Sequence, residues 1–165
     1  MIAIRLSKVL LTAMLAAFAL LVAWDNVVDY DTNYAFVQHV LSMDTTFPDS
    51  VLRSRAITSE TFWRIVYAVI IAAEFATGLL LAAGAIALLM ALRAPAARFN
   101  RAKTLAVIGA TVGLGLWLFG FLVVAGNYFA MWQSHEWNAQ QAAFRFAVML
   151  LAVLIFVCQK DEELA

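Results

Sequence analysis

Four long apolar stretches dominate the sequence, at 9–24, 65–92, 104–126 and 142–158. A helix needs about 20 apolar residues to cross the hydrocarbon core of a bilayer, and only a helix satisfies its backbone hydrogen bonds within one segment. We therefore predict an all-α membrane protein, a four-transmembrane-helix bundle in a single domain over 1–165. The first and last stretches are short, so their helices are expected to extend into the flanking residues.

The composition agrees with a membrane location and narrows the possible partners. Hydrophobic residues make up 65% of the chain, charged residues 13%, and the mean hydropathy is +0.87. Eleven basic residues balance eleven acidic ones, so there is no basic excess to bind nucleic acid and no nucleic-acid partner is predicted. The single cysteine, Cys158, can form neither an intramolecular disulfide nor a thiolate metal cluster.

The N-terminal region allows two interpretations. Arg5 and Lys8 precede the first apolar stretch, which is typical of a signal peptide as well as of a first span. Cleavage requires a small residue three positions before the cut, and Leu21 occupies that position before Trp24. The sequence therefore favours a retained first span.

Basic residues are distributed unequally between the two ends of the predicted spans. The side with both termini and the loop 93–103 holds seven, whereas the side with the connections 25–64 and 127–141 holds four. Because cytoplasmic loops carry an excess of Lys and Arg, we predict that both termini are cytoplasmic and that the two connections lie outside. The seven are Arg5, Lys8, Arg93, Arg98, Arg101, Lys103 and Lys160, and the four are Arg53, Arg55, Arg64 and Arg145.

The first outer connection begins with a cluster of acids and amides. Asp29, Asp31 and Asn33 match the first three ligand positions of a calcium loop. Tyr34 then replaces the required glycine and Val40 replaces the bidentate glutamate, which excludes a calcium loop of that type. Turn-forming and helix-capping roles are favoured, and an irregular hard-cation site stays open.

An amphipathic pattern follows at 34–43. Phe36, Val37, Val40 and Leu41 share one helical face, which predicts a short helix lying on the outer surface or packed on the spans. The predicted fold is therefore a four-helix bundle with an outer cap that contains this helix. Thr58 or Ser59, followed by Glu60, is predicted to cap the second spanning helix.

The two histidines lie one in each outer connection. His39 and His135, with Asp44 or Glu136, could in principle form a zinc or copper site. Neither histidine belongs to a motif with metal-ligand spacing, so we predict no metal site.

The second outer connection is rich in aromatic residues and amides. Trp132, Gln133, Trp137 and Asn138 lie within seven residues. Such residues can hold a polar lipid headgroup or a quinone ring, and they also anchor helix ends and join loops. Both roles stay open, and Ser134 is predicted to cap a fourth helix that begins near His135.

Glu74 is the only acid within a span, and intramembrane acids are functional candidates by default. If the second helix begins near Arg64 and the fourth near His135, then Glu74 and Arg145 both lie about 15 Å below their helix starts, at 1.5 Å per residue. We predict an ion pair of Glu74 with Arg145. A protonated carboxylate and a snorkelling Arg145 are the alternatives.

Glycines recur in the third apolar stretch. Gly109 and Gly113 are one helical turn apart, which is the spacing that lets two helices approach closely. The sequence predicts packing against another span at this face.

Two outer motifs resemble a known family. The first runs from Asp25 to Pro48 and ends in Phe-Val-Gln-His-Val-Leu-Ser-Met-Asp-Thr-Thr-Phe-Pro at 36–48. The second is Phe-Ala-Met-Trp-Gln-Ser at 129–134, followed by Trp137-Asn138 and Gln140. Together they resemble an uncharacterised bacterial family of predicted small integral membrane proteins, a four-span domain of unknown function. The resemblance implies the bacterial cytoplasmic membrane and no established activity or cofactor. The family pattern has glutamate where this chain has Asn127, so no carboxylate role is transferred there.

Two classes of function fit this pattern. The preferred prediction is a non-catalytic accessory or scaffold subunit whose outer cap contacts a partner protein or lipid, within a larger membrane complex or a homo-oligomer. No acid–base or nucleophile arrangement can be identified from spacing. The alternative is a small-molecule site for quinone, lipid or metal, with or without enzymatic or transport activity. The candidate residues for ligand or partner binding, above Glu74, are Asp25, Asp29, Asn33, His39, Asp44, Trp132, Gln133, Trp137 and Asn138.

Overall fold

The computed structural model describes residues 1–164, and these residues form helices and connecting turns with no strand among them. Four helical segments are long and apolar enough to cross a membrane. The prediction of an all-α chain with four spans is therefore confirmed. In chain order the helices are α1 (Ile2–Val28), α2 (Tyr30–Ser42), α3 (Glu60–Met90), α4 (Ala96–Ala102), α5 (Thr104–Leu114), which continues as a π-helix (Gly115–Tyr128), and α6 (Gln140–Cys158).

The four spanning helices form a bundle in which each helix packs against two others. α1 packs along α3, α3 along α5, and α6 against α5 and its π-helical continuation, while a smaller contact between α6 and α1 closes the bundle. The central core contains Leu15, Leu81, Trp117 and Leu150. At one end lie residues 29–59 and 129–139, here called the cap. The other end, here called the tail end, carries α4 and both chain termini.

The first helix extends beyond its apolar stretch, as expected. Predicted over 9–24, it runs over Ile2–Val28. In α3 the Ser59 Oγ accepts a hydrogen bond from the Phe62 N–H at 3.3 Å, so the predicted cap is formed by Ser59.

The fourth helix begins five residues later than predicted, at Gln140. Ser134 does use its side chain as a cap, because its Oγ accepts from the Trp137 N–H at 2.9 Å. This bond closes a single turn rather than starting a helix. A second local bond follows, in which the Gln140 N–H donates to Asn138 Oδ1 at 3.1 Å. The regular helix α6, with its apolar pattern, begins only after this second turn.

The cap contains helix α2 and joins the two long connections. α2 begins at Tyr30, four residues before the predicted start at 34, and buries Val37, Val40 and Leu41. Gln133 Oε1 accepts from the Phe47 N–H at 3.1 Å, which ties the second connection to the first. The two connections therefore fold as one unit above the spans.

Glycines allow α3 and α5 to approach closely. A Cβ on Gly84 would lie 2.5 Å from the Ala106 backbone nitrogen, and one on Gly109 would lie 2.9 Å from that of Leu81. A Cβ on Gly113 would meet side chains of α3 and α6. The predicted packing role of Gly109 and Gly113 is confirmed, and Gly84 adds a contact that the spacing did not reveal.

The tail end is held by a buried cluster of charges. Lys8 Nζ and Lys103 Nζ each lie 2.5 Å from Asp161 Oδ2. Arg5 donates to the carbonyl oxygens of Ala94, at 2.7 Å, and of Glu162, at 2.8 Å. Burial raises the pKa of Asp161, but hydrogen bonds from Lys103 and Lys8 outweigh it and leave that pKa below the usual 3.8. The C-terminal segment is thereby bound to α1 and to the start of α5.

Candidate functional site

A partly open cavity of about 430 Å³ lies between the four spans at the cap end. All four spans contribute to its wall, and α2 and residues 136–139 cover it from the cap side. Six of its lining residues are aromatic and six are polar. The aromatic residues are Phe36, Tyr67, Trp117, Phe121, Trp137 and Phe146, and the polar ones are Asn26, Thr32, Asn33, Glu74, Glu136 and Asn138.

Glu74 is the only acid in the spanning part of this wall. The residue is 2% exposed, and its Oε2 accepts a hydrogen bond from Asn26 Nδ2 at 2.7 Å. Within residues 1–164, Oε1 has no hydrogen-bond partner and no cationic group lies within 4.0 Å of the carboxylate. One oxygen of a buried carboxylate is therefore free to meet a molecule in the cavity.

Asn26 and Tyr67 set the position of Glu74. Asn26 lies in the last turn of α1, and its carbonyl oxygen accepts from the Tyr67 hydroxyl at 2.8 Å. Tyr67 lies seven residues before Glu74, so both side chains share one face of α3. One turn beyond Glu74, Gly78 leaves room for Leu20 of α1, because a Cβ there would lie 2.6 Å from the Leu20 side chain. α1 and α3 are thus joined around the carboxylate.

The expected ion pair of Glu74 with Arg145 is not formed in the structure. Arg145 is exposed on α6, and the partner of the carboxylate is Asn26. The later start of α6 at Gln140 explains the difference, because it places Arg145 only about 7.5 Å along its helix instead of 15 Å. At that position the guanidinium is directed outward.

Aromatic rings in edge and stacked arrangements form the rest of the wall. The rings of Trp117 and Phe146 have centroids 5.7 Å apart at 74°. Phe36 lies 6.3 Å from Phe121 and 6.3 Å from Trp137. Trp117 and Phe121 both come from the π-helix, a type of helix that is rare and frequently found at functional sites. The cavity therefore combines the apolar surface of these rings with one buried carboxyl group, that of Glu74.

The structure brings some of the predicted site residues together at this cavity. Asn33, Trp137 and Asn138 line it with Glu74. His39 lies behind this wall, where its imidazole stacks on Trp137 at 4.5 Å and its Nδ1 is 2.8 Å from Asp44 Oδ2.

Other predicted residues have local roles. The Asp25 carbonyl accepts from the Asp29 N–H at 2.9 Å, and Asp29 immediately precedes α2. Gln133 joins the connections, as described above. Trp132 is half exposed and lies edge-on to Phe47 at 5.7 Å. None of these residues lines the cavity.

Sequence reasoning did not select Asn26, Trp117, Phe121 and Phe146 as site residues. Asn26 lies two residues after the end of the first apolar stretch, and only the extension of α1 to Val28 places it on a spanning helix. The three aromatic residues have no local pattern that separates them from ordinary core residues. Their shared position depends on the packing of α6 against the π-helix.

Two further features bear on ligand chemistry. No group of three or more His, Cys, Asp or Glu side chains that could hold a metal ion occurs in residues 1–164. A second hollow of about 440 Å³ lies between α3 and the π-helix and is lined only by apolar residues, among them Ile65, Val69 and Phe119. The two hollows differ in that only the first presents a charge.

Comparison with known families gives one match. Residues 4–160 match the family described as "Predicted small integral membrane protein (DUF2165)". The chain belongs to this family, which confirms the resemblance of its two motifs. Neither the comparison with curated proteins nor that with solved structures gave a match.

Proposed function

We propose that this integral membrane protein binds a small amphipathic molecule in the cavity at its cap end. The observation that carries the proposal is the free oxygen of Glu74, a residue 2% exposed, in the wall of an aromatic cavity. A buried carboxylate with a single amide partner costs stability unless it gains another partner or a proton. Retaining it in a core of apolar rings is most simply explained by a ligand.

The size and lining of the cavity support this choice. Sites for small molecules have volumes of roughly 300–1,000 Å³, with mostly apolar walls and a few polar groups that fix orientation. The cavity measures about 430 Å³ and has this composition. Its exposed polar residues, Thr32, Glu136 and Asn138, lie at the cap side of the cavity.

The accessory-subunit interpretation is the second candidate, and exposed apolar residues of the cap favour it. Val51 is 85% exposed, Trp132 50% and Phe47 47%. Such residues suit contact with membrane lipid at the headgroup level or with a partner protein in a larger complex or homo-oligomer. A cap that rests on the membrane surface is compatible with a ligand cavity beneath it.

The proposed location is the bacterial cytoplasmic membrane, with the cap in the periplasm and both termini in the cytoplasm. Support comes from the seven basic residues near the tail end against four near the cap.

Mass spectrometry of protein purified gently from native membranes tests the proposed function. The wild type is compared with Ala142→Phe, which places a ring at a cavity-lining position, and with the matched control Ala152→Phe on the exposed surface of α6. We expect a small molecule at about one per chain in the wild type and in Ala152→Phe, and its loss in Ala142→Phe. A stoichiometric protein partner without any bound small molecule would establish the accessory role instead.

A further inference from the structure

We infer that the molecule held in this cavity is a hydrophobic organic cation, with an ammonium group attached to an aromatic or branched aliphatic body. The inference rests on the proposed function and specifies the ligand class of the same site. Three independent observations support it: the unpaired carboxylate, the hydrogen-bonding state of the amides, and the aromatic wall.

The charge of the lining selects the sign of the ligand. Among residues 1–164, two acids, Glu74 and Glu136, line the cavity, and no Lys, Arg or His does. Arg64 of α3 is bound to Glu60 at 2.6 Å, and Arg145 is exposed on α6. A cation entering the cavity therefore meets complementary charge, whereas an anion is repelled.

The amides of the site disfavour ligands that only accept hydrogen bonds. Asn26 Nδ2 donates to Glu74, and Asn33 Nδ2 donates to the Asp29 carbonyl at 3.2 Å. The Tyr67 hydroxyl donates to the Asn26 carbonyl. A quinone placed against this part of the wall needs donors for its carbonyl oxygens, and these three donors are already engaged. Beside Asn26 the free group is an acceptor, Glu74 Oε1, which requires a donor or a cation on the ligand.

The aromatic wall adds a second source of attraction. An ammonium group within about 6 Å of a ring centroid is attracted by the negative face of the ring, and the attraction grows when both groups are removed from water. Trp117, Phe121 and Phe146 line the same cavity as the carboxylate, and the ring centroids of Trp117 and Phe146 are 5.7 Å apart. Carboxylate and rings thus form a cage for an alkylated ammonium group.

Equilibrium dialysis with two probes of equal shape tests the inference. Benzyltrimethylammonium and neopentylbenzene differ only in that a quaternary nitrogen replaces a carbon atom. Binding is measured to the wild type in nanodiscs of zwitterionic lipid, with empty nanodiscs as background and duroquinone as a neutral planar probe. We expect saturable binding of the cation at about one per chain, and at least tenfold weaker binding of the two neutral probes.

Variants locate the effect. Glu74→Gln should weaken cation binding at least tenfold, while the control Glu60→Gln, which removes an exposed acid outside the cavity, should leave it unchanged. If Glu74→Gln does not fold, the comparison of the cation with the neutral probes on the wild type alone still tests whether the site prefers a cation. Two results would overturn the inference: saturable binding of neopentylbenzene or duroquinone equal to that of the cation, or an unchanged cation affinity in folded Glu74→Gln. The proposed function, a small-molecule site in this cavity, would survive either result. Absence of saturable binding for every probe would overturn the proposed function as well.

Discussion

Two buried carboxylates in this chain have opposite surroundings. Asp161 is 7% exposed and contacts two lysines, whereas Glu74 is 2% exposed and contacts one amide. The charge of Asp161 is neutralised within the protein, so its role is to fix the C-terminal segment. Glu74 has no basic partner of this kind within residues 1–164, and this difference distinguishes a structural carboxylate from one available to a ligand.

Asp161→Asn is expected to destabilise the tail end. The substitution removes the negative partner of Lys8 and Lys103, and hydrogen bonds to charged groups contribute on the order of 2 kcal/mol. Thermal unfolding in detergent should show a lower midpoint for this variant. The control is Glu162→Gln, an exposed neighbour. Equal midpoints for Asp161→Asn and the wild type would show that the cluster does not hold the tail.

The same group predicts a dependence on pH. Because the folded pKa of Asp161 lies below its usual value of 3.8, its contribution to stability is present above about pH 4 and is lost as the pH falls through the folded pKa. The midpoint difference between the wild type and Asp161→Asn should therefore shrink below pH 4. A difference that stays constant from pH 7 to pH 3 would contradict this account.

At the scale of elements, apolar length predicted each spanning helix, and local hydrogen bonds determined where one of them begins. The four stretches are recognisable because a bilayer imposes a minimum length. The start of α6 depends on two local hydrogen bonds, one to the Ser134 side chain and one to the Asn138 side chain. From the sequence alone, a serine that closes a single turn looks the same as a serine that caps a helix. The error of five residues was enough to predict the wrong partner for Glu74.

Close packing of α3 on α5 yields a further prediction. Gly84→Ala would place a methyl group 2.5 Å from the Ala106 backbone nitrogen, so the helices must separate and the free energy of unfolding should fall by about 2 kcal/mol. Gly115→Ala meets nothing within 4 Å and should be neutral or slightly stabilising. Chemical unfolding in mixed micelles measures both. Equal losses in the two variants would argue against a tight contact at Gly84.

At the scale of the whole molecule, the cavity could not be predicted from the sequence. Its wall draws on α1, α2, α3, the π-helix, residues 136–139 and α6. No local pattern reports which side chains of separate helices face one space. Glu74 was recognisable because an acid in an apolar stretch is costly. The aromatic residues around it were not, since rings at these positions are equally typical of a packed core.

The orientation of the protein in the membrane can also be tested. Alkaline phosphatase fused after Asp49 or Gln133 should be active, and fused after Arg98 inactive, because the enzyme requires export from the cytoplasm and the basic excess lies at the tail end. A green fluorescent protein fused after Arg98 serves as the converse control. The reverse pattern of activity would place the cap, and with it the opening of the cavity, in the cytoplasm.

The most direct measurement is an experimental structure of the protein with 4-iodobenzyltrimethylammonium, in which the iodine is located by its anomalous signal. We predict one strong peak inside the cavity, with the ammonium group beside Glu74 and within about 6 Å of the Trp117 or Phe146 ring. A peak only in the apolar hollow between α3 and the π-helix, or an empty cavity at saturating probe, would contradict this prediction.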